Sequence, residues 1–217
     1  MAHLLPLDSS LRTDGSRSRK LSAHYAERWR AANPGATVTY RDLAADPIPH
    51  LDLTSFTANV LAPEDRTPEQ REARALTDEL VGEVLAADTI LLGSGLYNFG
   101  PPSTVKTWFD HLVVPGVTLG PDGGTLGDKR LVLTLANGGG YGPGAPKEGW
   151  DHRTPWLAHA FEQLGLTDVE VYTAELTLAR ESPAMAPFDL GDAEDASFAA
   201  AIAAIDERFA TVGAGQS

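Results

Sequence analysis

The sequence predicts an α/β fold in which a parallel sheet is covered by helices on both faces. Three observations carry this. Strand-like and helix-like segments alternate along most of the chain. The runs Ile90-Leu91-Leu92 and Leu131-Val132-Leu133 lack polar alternation, the pattern of strands buried on both sides. The turns that follow those runs are rich in glycine and small polar residues, as at the carboxyl edge of an open sheet, where ligands bind.

Each element has its own signal. Residues 3–7 are apolar and form a first strand, although Pro6 can donate no ladder hydrogen bond. A polar turn over 8–15 leads to Ser16, the start of a helix whose Leu21, Tyr25, Trp29 and Ala32 recur at spacings of three and four. Asn33-Pro34-Gly35 ends that helix. Residues 37–43 alternate and are rich in β-branched side chains, giving a second strand. Residues 44–66, dense in Pro, Asp and Thr, read as a long excursion. Thr67-Pro68-Glu69-Gln70 then supplies an N-cap, a proline at the first helical position and a capping-box glutamine. The helix it opens runs past Leu76, Leu80 and Val84.

The third strand spans 89–93 and is followed by the turn Gly95-Leu96-Tyr97-Asn98-Phe99-Gly100 and a helix over 103–111. Gly-Pro-Asp-Gly-Gly at 120–124 marks a hairpin-like insertion within 117–128. Residues 130–135 form a fourth strand, 137–144 a glycine-rich loop, 154–164 a helix and 169–173 a fifth strand. Phe198, Ile202, Ile205 and Phe209 define a last amphipathic helix. Five strands in this rhythm fit the flavodoxin-like order 2-1-3-4-5, a three-layer sandwich in a single domain over 1–212, with 213–217 expected to fray.

Composition narrows the function. The chain has 217 residues, 42% of them hydrophobic, enough for one sizeable core. Its net charge of −13 repels nucleic acid and anionic membranes, so neither is an expected partner. No run approaches a membrane-spanning length, and the first residues lack the pattern of a signal peptide, so a cytoplasmic location is expected. The absence of cysteine excludes disulfides, thiolate metal sites and a cysteine nucleophile. The six histidines show no ligand spacing, and no metal is expected.

The loops after the first, third and fourth strands should converge at the switch point between strands one and three. The first carries hydroxyls at Ser10, Ser16 and Ser18, and the helix beginning at Ser16 points unpaired N–H groups and a positive dipole end at whatever lies there. That is a phosphate-type anion site, or else a plain serine N-cap. Arg17 is expected to contribute through its backbone N–H. The second loop, Leu96, Tyr97, Asn98 and Phe99, suits a flat heterocycle with polar edges such as a flavin, or is an ordinary turn whose rings pack on the core. The third, Ala136, Asn137, Gly138 and Gly139, lets backbone press against a ring edge. Neither a Walker A pattern nor a G-x-G-x-x-G fingerprint is present, which argues against a nucleoside triphosphatase.

Taken together, Leu7-Asp-Ser-Ser10, Ser16-Arg-Ser18, Arg41-Asp-Leu-Ala-Ala-Asp-Pro-Ile-Pro49, Tyr97-Asn-Phe99, Gly116-Val-Thr118 and Leu166-Thr-Asp-Val169 resemble the bacterial FMN-dependent NADH:quinone/azo reductases over nearly the whole chain. The resemblance implies non-covalent FMN held by Ser10, Ser16, Arg17, Ser18, Leu96 to Phe99 and Ala136 to Gly139. It also implies NADH or NADPH as reductant, ping-pong hydride transfer through flavin N5 to a quinone or azo-type acceptor, and a homodimer. Tyr97 and Asn98 are the side chains expected nearest the chemistry. Two departures stand out: Gly95-Leu96 where the family often has proline and methionine, and Ala136-Asn137 where it commonly has serine and arginine. They leave open a dedicated reductase of one biosynthetic intermediate, and the acidity leaves open a non-catalytic FMN electron carrier.

Overall fold

A computed structural model describes residues 1–214. The first strand, β1 (His3–Asp8), is followed by α1 (Arg17–Ala32), two short strands β2 (Thr37–Val38) and β3 (Arg41–Asp42), α2 (Leu53–Val60) and α3 (Pro68–Ala86). Next come β4 (Thr89–Gly95), α4 (Ser103–Leu112), a hairpin of β5 (Leu119–Gly120) and β6 (Gly123–Gly124), and β7 (Arg130–Ala136). The chain ends with α5 (Arg153–Gln163), β8 (Asp168–Ala174) and α6 (Gly191–Ala214). The main sheet runs β2-β1-β4-β7-β8, with β3 also on β1, and every pairing in it is parallel.

The sheet therefore has six strands, not the five expected, because the second splits in two. The cause lies across the ladder. Leu4 and Asp8 accept from Thr39 and Leu43, while His3 and Ser9 bond toward β4, so even-numbered residues of β1 face β2 and β3. In the shared register Pro6 lies opposite residue 40, and it has no N–H to give. The ladder lapses there and resumes at Leu7 opposite Arg41. On its other side β1 pairs without a break with β4, so the proline sits in an interior strand with its nitrogen turned to the gap.

Alternation along the strands feeds two cores. Leu5, Leu7, Ile90, Leu92, Leu131 and Leu133 pack with Leu80, Val84, Trp108 and Phe161 from α3, α4 and α5. Leu4, Leu91 and Val132 face the other way, against Leu21, Tyr25 and Trp29 of α1 and Ile205 of α6. This is a sheet with helices on both faces. The excursion over 44–66 holds a helix the composition hid: Asp52 caps α2 by accepting from the Ser55 N–H at 2.8 Å, and the Ser55 hydroxyl accepts from the Asp52 N–H at 3.0 Å. α2 lies on α3. Residues 213–214 continue α6, and the rest of the tail expected to fray, 215–217, lies outside the described residues.

The β5–β6 hairpin is seated on the end of α5. A Cβ built on Gly124 would fall 1.8 Å from the Leu164 carbonyl carbon, and Leu126 N–H donates to Leu164 O at 2.9 Å. Backbone meets backbone here, so no side chain can yield. Gly124→Ala should lower stability by about 3 kcal/mol or more. A fall in thermal midpoint of about 6–12 °C, at about 2–4 °C per kcal/mol for a chain of this size, is the expected readout.

Candidate functional site

Three loops meet at the carboxyl edge of the sheet, where β1 and β4 lie side by side and their helices leave on opposite faces. They wall a cleft of about 600 Å³, counting space open to solvent. Ser10, Ser16, Arg17 and Ser18 line one end; Leu96, Tyr97, Ala136 and Gly138 line the other. Eight of the expected site residues are thus brought together. Asn98, Phe99, Asn137 and Gly139 do not line this cleft, and each does something else.

The donor-rich end is built on α1. Ser16 caps the helix by accepting from the Arg19 N–H at 3.3 Å, and its hydroxyl lies 3.3 Å from that of Ser18. The N–H groups of Arg17 and Ser18 fall in the first turn, where no intrahelical acceptor exists. The Arg17 side chain turns away: its guanidinium donates to Glu194 at 2.8 Å and lies 4.7 Å over the Phe198 ring. With the side chain engaged there, the backbone N–H of Arg17 stays at the start of the helix.

The loop between β1 and α1 is held by a second guanidinium. Arg19 donates to Ser10 O at 2.8 Å and Arg12 O at 3.0 Å, and grips both oxygens of Asp42 at 2.7 and 2.9 Å. That grip holds the Asp42 carboxyl below the usual carboxylate range. Asp8, buried beneath, accepts from the Ser22 hydroxyl at 2.7 Å and the Tyr40 phenol at 3.1 Å. Burial pushes the Asp8 carboxyl up against those bonds, and pushes the Tyr40 phenol up to about 12. A Cβ at Gly93 would sit 2.5 Å from the Asp8 oxygen, so glycine leaves the room this carboxylate occupies.

The loop after β4 is a tight turn. Tyr97 and Gly100 exchange N–H···O bonds at 3.0 Å, with Asn98 at φ 48° and Phe99 at φ 68° between them, the geometry of a type I′ turn. Asparagine accepts this conformation readily; phenylalanine does so at a strain of order 1–3 kcal/mol. Phe99, partly buried, is held by its contacts. Its ring meets Trp150 edge-on at 5.2 Å, Lys147 Nζ lies 5.4 Å over it, and its carbonyl accepts from the His152 N–H at 2.9 Å. Phe99 therefore fastens the 137–152 loop. Asn98 is exposed and faces a neighbouring cleft beside Leu11 and Pro101. The Tyr97 phenol spans back to the first loop, accepting from the Leu11 N–H at 3.1 Å.

Asn137 points inward. Its amide donates to Glu175 at 3.2 Å, and its carbonyl oxygen accepts from Arg153 at 2.8 Å. Gly139 gives its carbonyl to the Leu176 N–H at 3.2 Å. Gly138 is small for a packing reason: a Cβ there would lie 2.7 Å from Leu178 Cδ1. Thr177 and Leu178, after β8, form a wall of the cleft that sequence reasoning missed, as does Arg12.

Arg153 is the larger omission. It is fully buried at the start of α5. One terminal nitrogen donates to Ser94 O at 3.1 Å and Ala136 O at 3.2 Å; the other reaches Asn137 and, at 3.3 Å, Asp151. Its Nε has no partner among the described residues. Burial lowers its guanidinium to about 10, Asp151 opposing. The one signal in the sequence is spacing: 153 shares its helical face with Leu157 and Phe161, both buried.

Among the described residues no group of three or more His, Asp or Glu is placed to hold a metal ion, and no helix is long and apolar enough to cross a membrane. A family model described as flavodoxin-like fold matches residues 2–197. The chain is 49% identical over 190 residues to the FMN-dependent NADH:quinone oxidoreductase of Frankia alni, covering 87% of this chain and 90% of that one. It is 47% identical over 204 residues to the protein of that name from Frankia casuarinae, covering 93% and 97%. An azoreductase from Bacillus anthracis str. Sterne shares the fold at a TM-score of 0.83, with 24% identity over 96% of this chain and 99% of that one. This protein belongs to the flavodoxin-like family of which these FMN-dependent NADH:quinone oxidoreductases are members.

The Arg19–Asp42 bond makes the first loop acid-sensitive. A carboxyl held below its free value stabilises the fold above the ordinary range near 3.8 and loses that contribution as pH falls. Asp42→Asn should remove about 1.5–3 kcal/mol at pH 7. In thermal melts of both proteins the gap should be full at pH 7 and narrow progressively below pH 4.

Proposed function

We propose that this protein is an FMN-dependent NAD(P)H oxidoreductase that reduces quinones, or azo and related conjugated acceptors, by two electrons. The observation that carries this reading is the cleft itself. Neutral donors gather at one end, where the α1 N-terminus, Ser10, Ser16 and Ser18 suit a phosphate. Leu96, Ala136, Leu178 and the Tyr97 ring suit a flat ring system at the other. The donor set suits a mononucleotide, and the names of the Frankia relatives are consistent with it.

The redox chemistry that bound FMN would supply is two-electron hydride relay through N5, with NADH or NADPH as donor in a ping-pong cycle. The chain's own residues bind and orient. The N–H groups of Arg17 and Ser18 and the serine hydroxyls hold the phosphate. The backbones of Leu96, Tyr97, Ala136 and Gly138 flank the ring. Phe99, Asn137 and Gly139 act by shaping the two loops, and Asn98, exposed on its turn, faces the cleft that adjoins the site. We assign Tyr97 and Asn98 to the chemistry's immediate surroundings; no side chain is required as an obligate acid or base. Residues 1–212 form the domain that carries this site. A cytoplasmic homodimer fits the exposed Leu53, Phe56 and Val60 on one side of α2.

Purified protein incubated with FMN should turn yellow, bleach on anaerobic addition of NADH or NADPH, and recover its colour on adding a benzoquinone. Failure to take up FMN overturns the reading; bound FMN that neither nicotinamide bleaches identifies an electron carrier instead. Ser18→Ala, which deletes a buried hydroxyl bonded, among the described residues, only to Ser16, should weaken FMN about tenfold, the loss of one charge-assisted hydrogen bond. Riboflavin, lacking the phosphate, should bind both proteins equally in fluorescence titrations.

A further inference from the structure

Arg153 lies immediately behind the wall of the cleft. The carbonyls it grips, Ser94 O and Ala136 O, are at the carboxyl ends of β4 and β7, and the residues that follow them, Gly95, Leu96 and Gly138, line the cleft. Ala136 O is already paired: it accepts from the Leu96 N–H at 3.0 Å. The strands are fully laddered up to that point. Packing alone therefore asks for no cation here, and enclosing one carries a desolvation penalty of several kcal/mol.

Two carboxylates face this guanidinium. Asp151 touches it at 3.3 Å and also caps α5 through Thr154. Glu175 lies one residue further, across Asn137, and accepts from the Tyr141 N–H at 2.9 Å. Without Arg153 the back wall would present two negative charges and no positive one.

Resting on the FMN reading above, we propose that Arg153 is a positioning residue. It locks the loops after β4 and β7 in register, and its charge biases bound flavin toward the reduced form. Hydride transfer from NADH adds two electrons and one proton to oxidised FMN, leaving the ring with one more negative charge and releasing NAD⁺. A fixed cation behind the ring's cradle stabilises that product over the starting state, without contact and without reorganisation.

The test is the two-electron midpoint potential of FMN bound to wild type, Arg153→Lys, Arg153→Gln and Asp151→Asn, read against reference dyes with xanthine and xanthine oxidase as the electron source. Arg153→Gln should lose at least tenfold of the preference for reduced over oxidised FMN, a fall of about 30 mV. Arg153→Lys should stay close to wild type. Asp151→Asn, which keeps the cap oxygen and removes the opposing charge, should shift the potential upward. Arg153→Gln that fails to fold still leaves the upward shift of Asp151→Asn to decide. Equal potentials across a flavin-loaded series, or a downward shift in Asp151→Asn, overturn this inference alone. A wild type that takes up no FMN overturns the cofactor reading and this inference with it.

Discussion

A single buried cation ties the carboxyl ends of two central strands to the helix that follows them. Arg153 donates to carbonyls at the ends of β4 and β7, to the Asn137 side chain and to Asp151, with no solvent contact of its own. The arrangement stands or falls as a unit. Removing one partner of a buried charge leaves the other uncompensated, at a loss of about 3–5 kcal/mol, whereas a conservative exchange keeps the geometry. From this point a chain of bonds runs outward through Asn137 and Glu175 to Tyr141, so the glycine-rich loop is fixed from beneath. Phe99 fixes it from above, through Trp150, Lys147 and His152.

Arg19 does for the first loop what Arg153 does for the other two. It holds Ser10 and Arg12 by their carbonyls and answers to Asp42 and Asp8. Of the two arginines that line the cleft, Arg17 is spent on Glu194 and Arg12 on Glu181. A chain with a net charge of −13 thus uses these cations to set backbone geometry and leaves anion recognition to N–H groups, hydroxyls and a helix dipole. Such donors do not need to be moved or desolvated as a charged side chain would, and the guanidinium groups behind them hold the loops that aim them at the cleft.

Much of this was legible in the sequence, and the exceptions have physical reasons. The strands of the sheet interior announced themselves because a two-sided strand has no polar face to hide it. The helix start at Ser16 was readable because a cap, a turn and a periodic face agree. The split of the second strand was encoded not in that segment but in Pro6 across the ladder, which single-segment patterning does not weigh. α2 was masked by the composition of its surroundings, although Asp52 and Ser55 hold its capping box in plain view. Asn137 faces inward because a buried arginine claims its oxygen, and nothing in Ala-Asn-Gly-Gly distinguishes that from an asparagine facing a ligand. Arg153 was missed for the commonest reason: an arginine is placed on the surface by default, since it is almost never fully buried unless paired.

The departures at Gly95 and Leu96 gain a structural meaning once the Tyr97 ring is located. A Cβ at Gly95 would approach that ring to 3.1 Å, so a bulkier residue would push the tyrosine off the backbone on which it rests. In that resting place the phenol reaches the Leu11 N–H and bridges the loops after β1 and β4 across the cleft. A proline at 95 would stiffen its own loop by restricting φ. Glycine gives up that local stiffness, and the turn recovers it elsewhere: from the reciprocal bonds of Tyr97 and Gly100, from the packed ring of Phe99, and from Arg153 beneath Ser94. Rigidity at this edge of the sheet is therefore held by tertiary contacts more than by the loop's own residues. At the cleft wall itself the Leu96 N–H is tied to Ala136 O, whose other donor is Arg153.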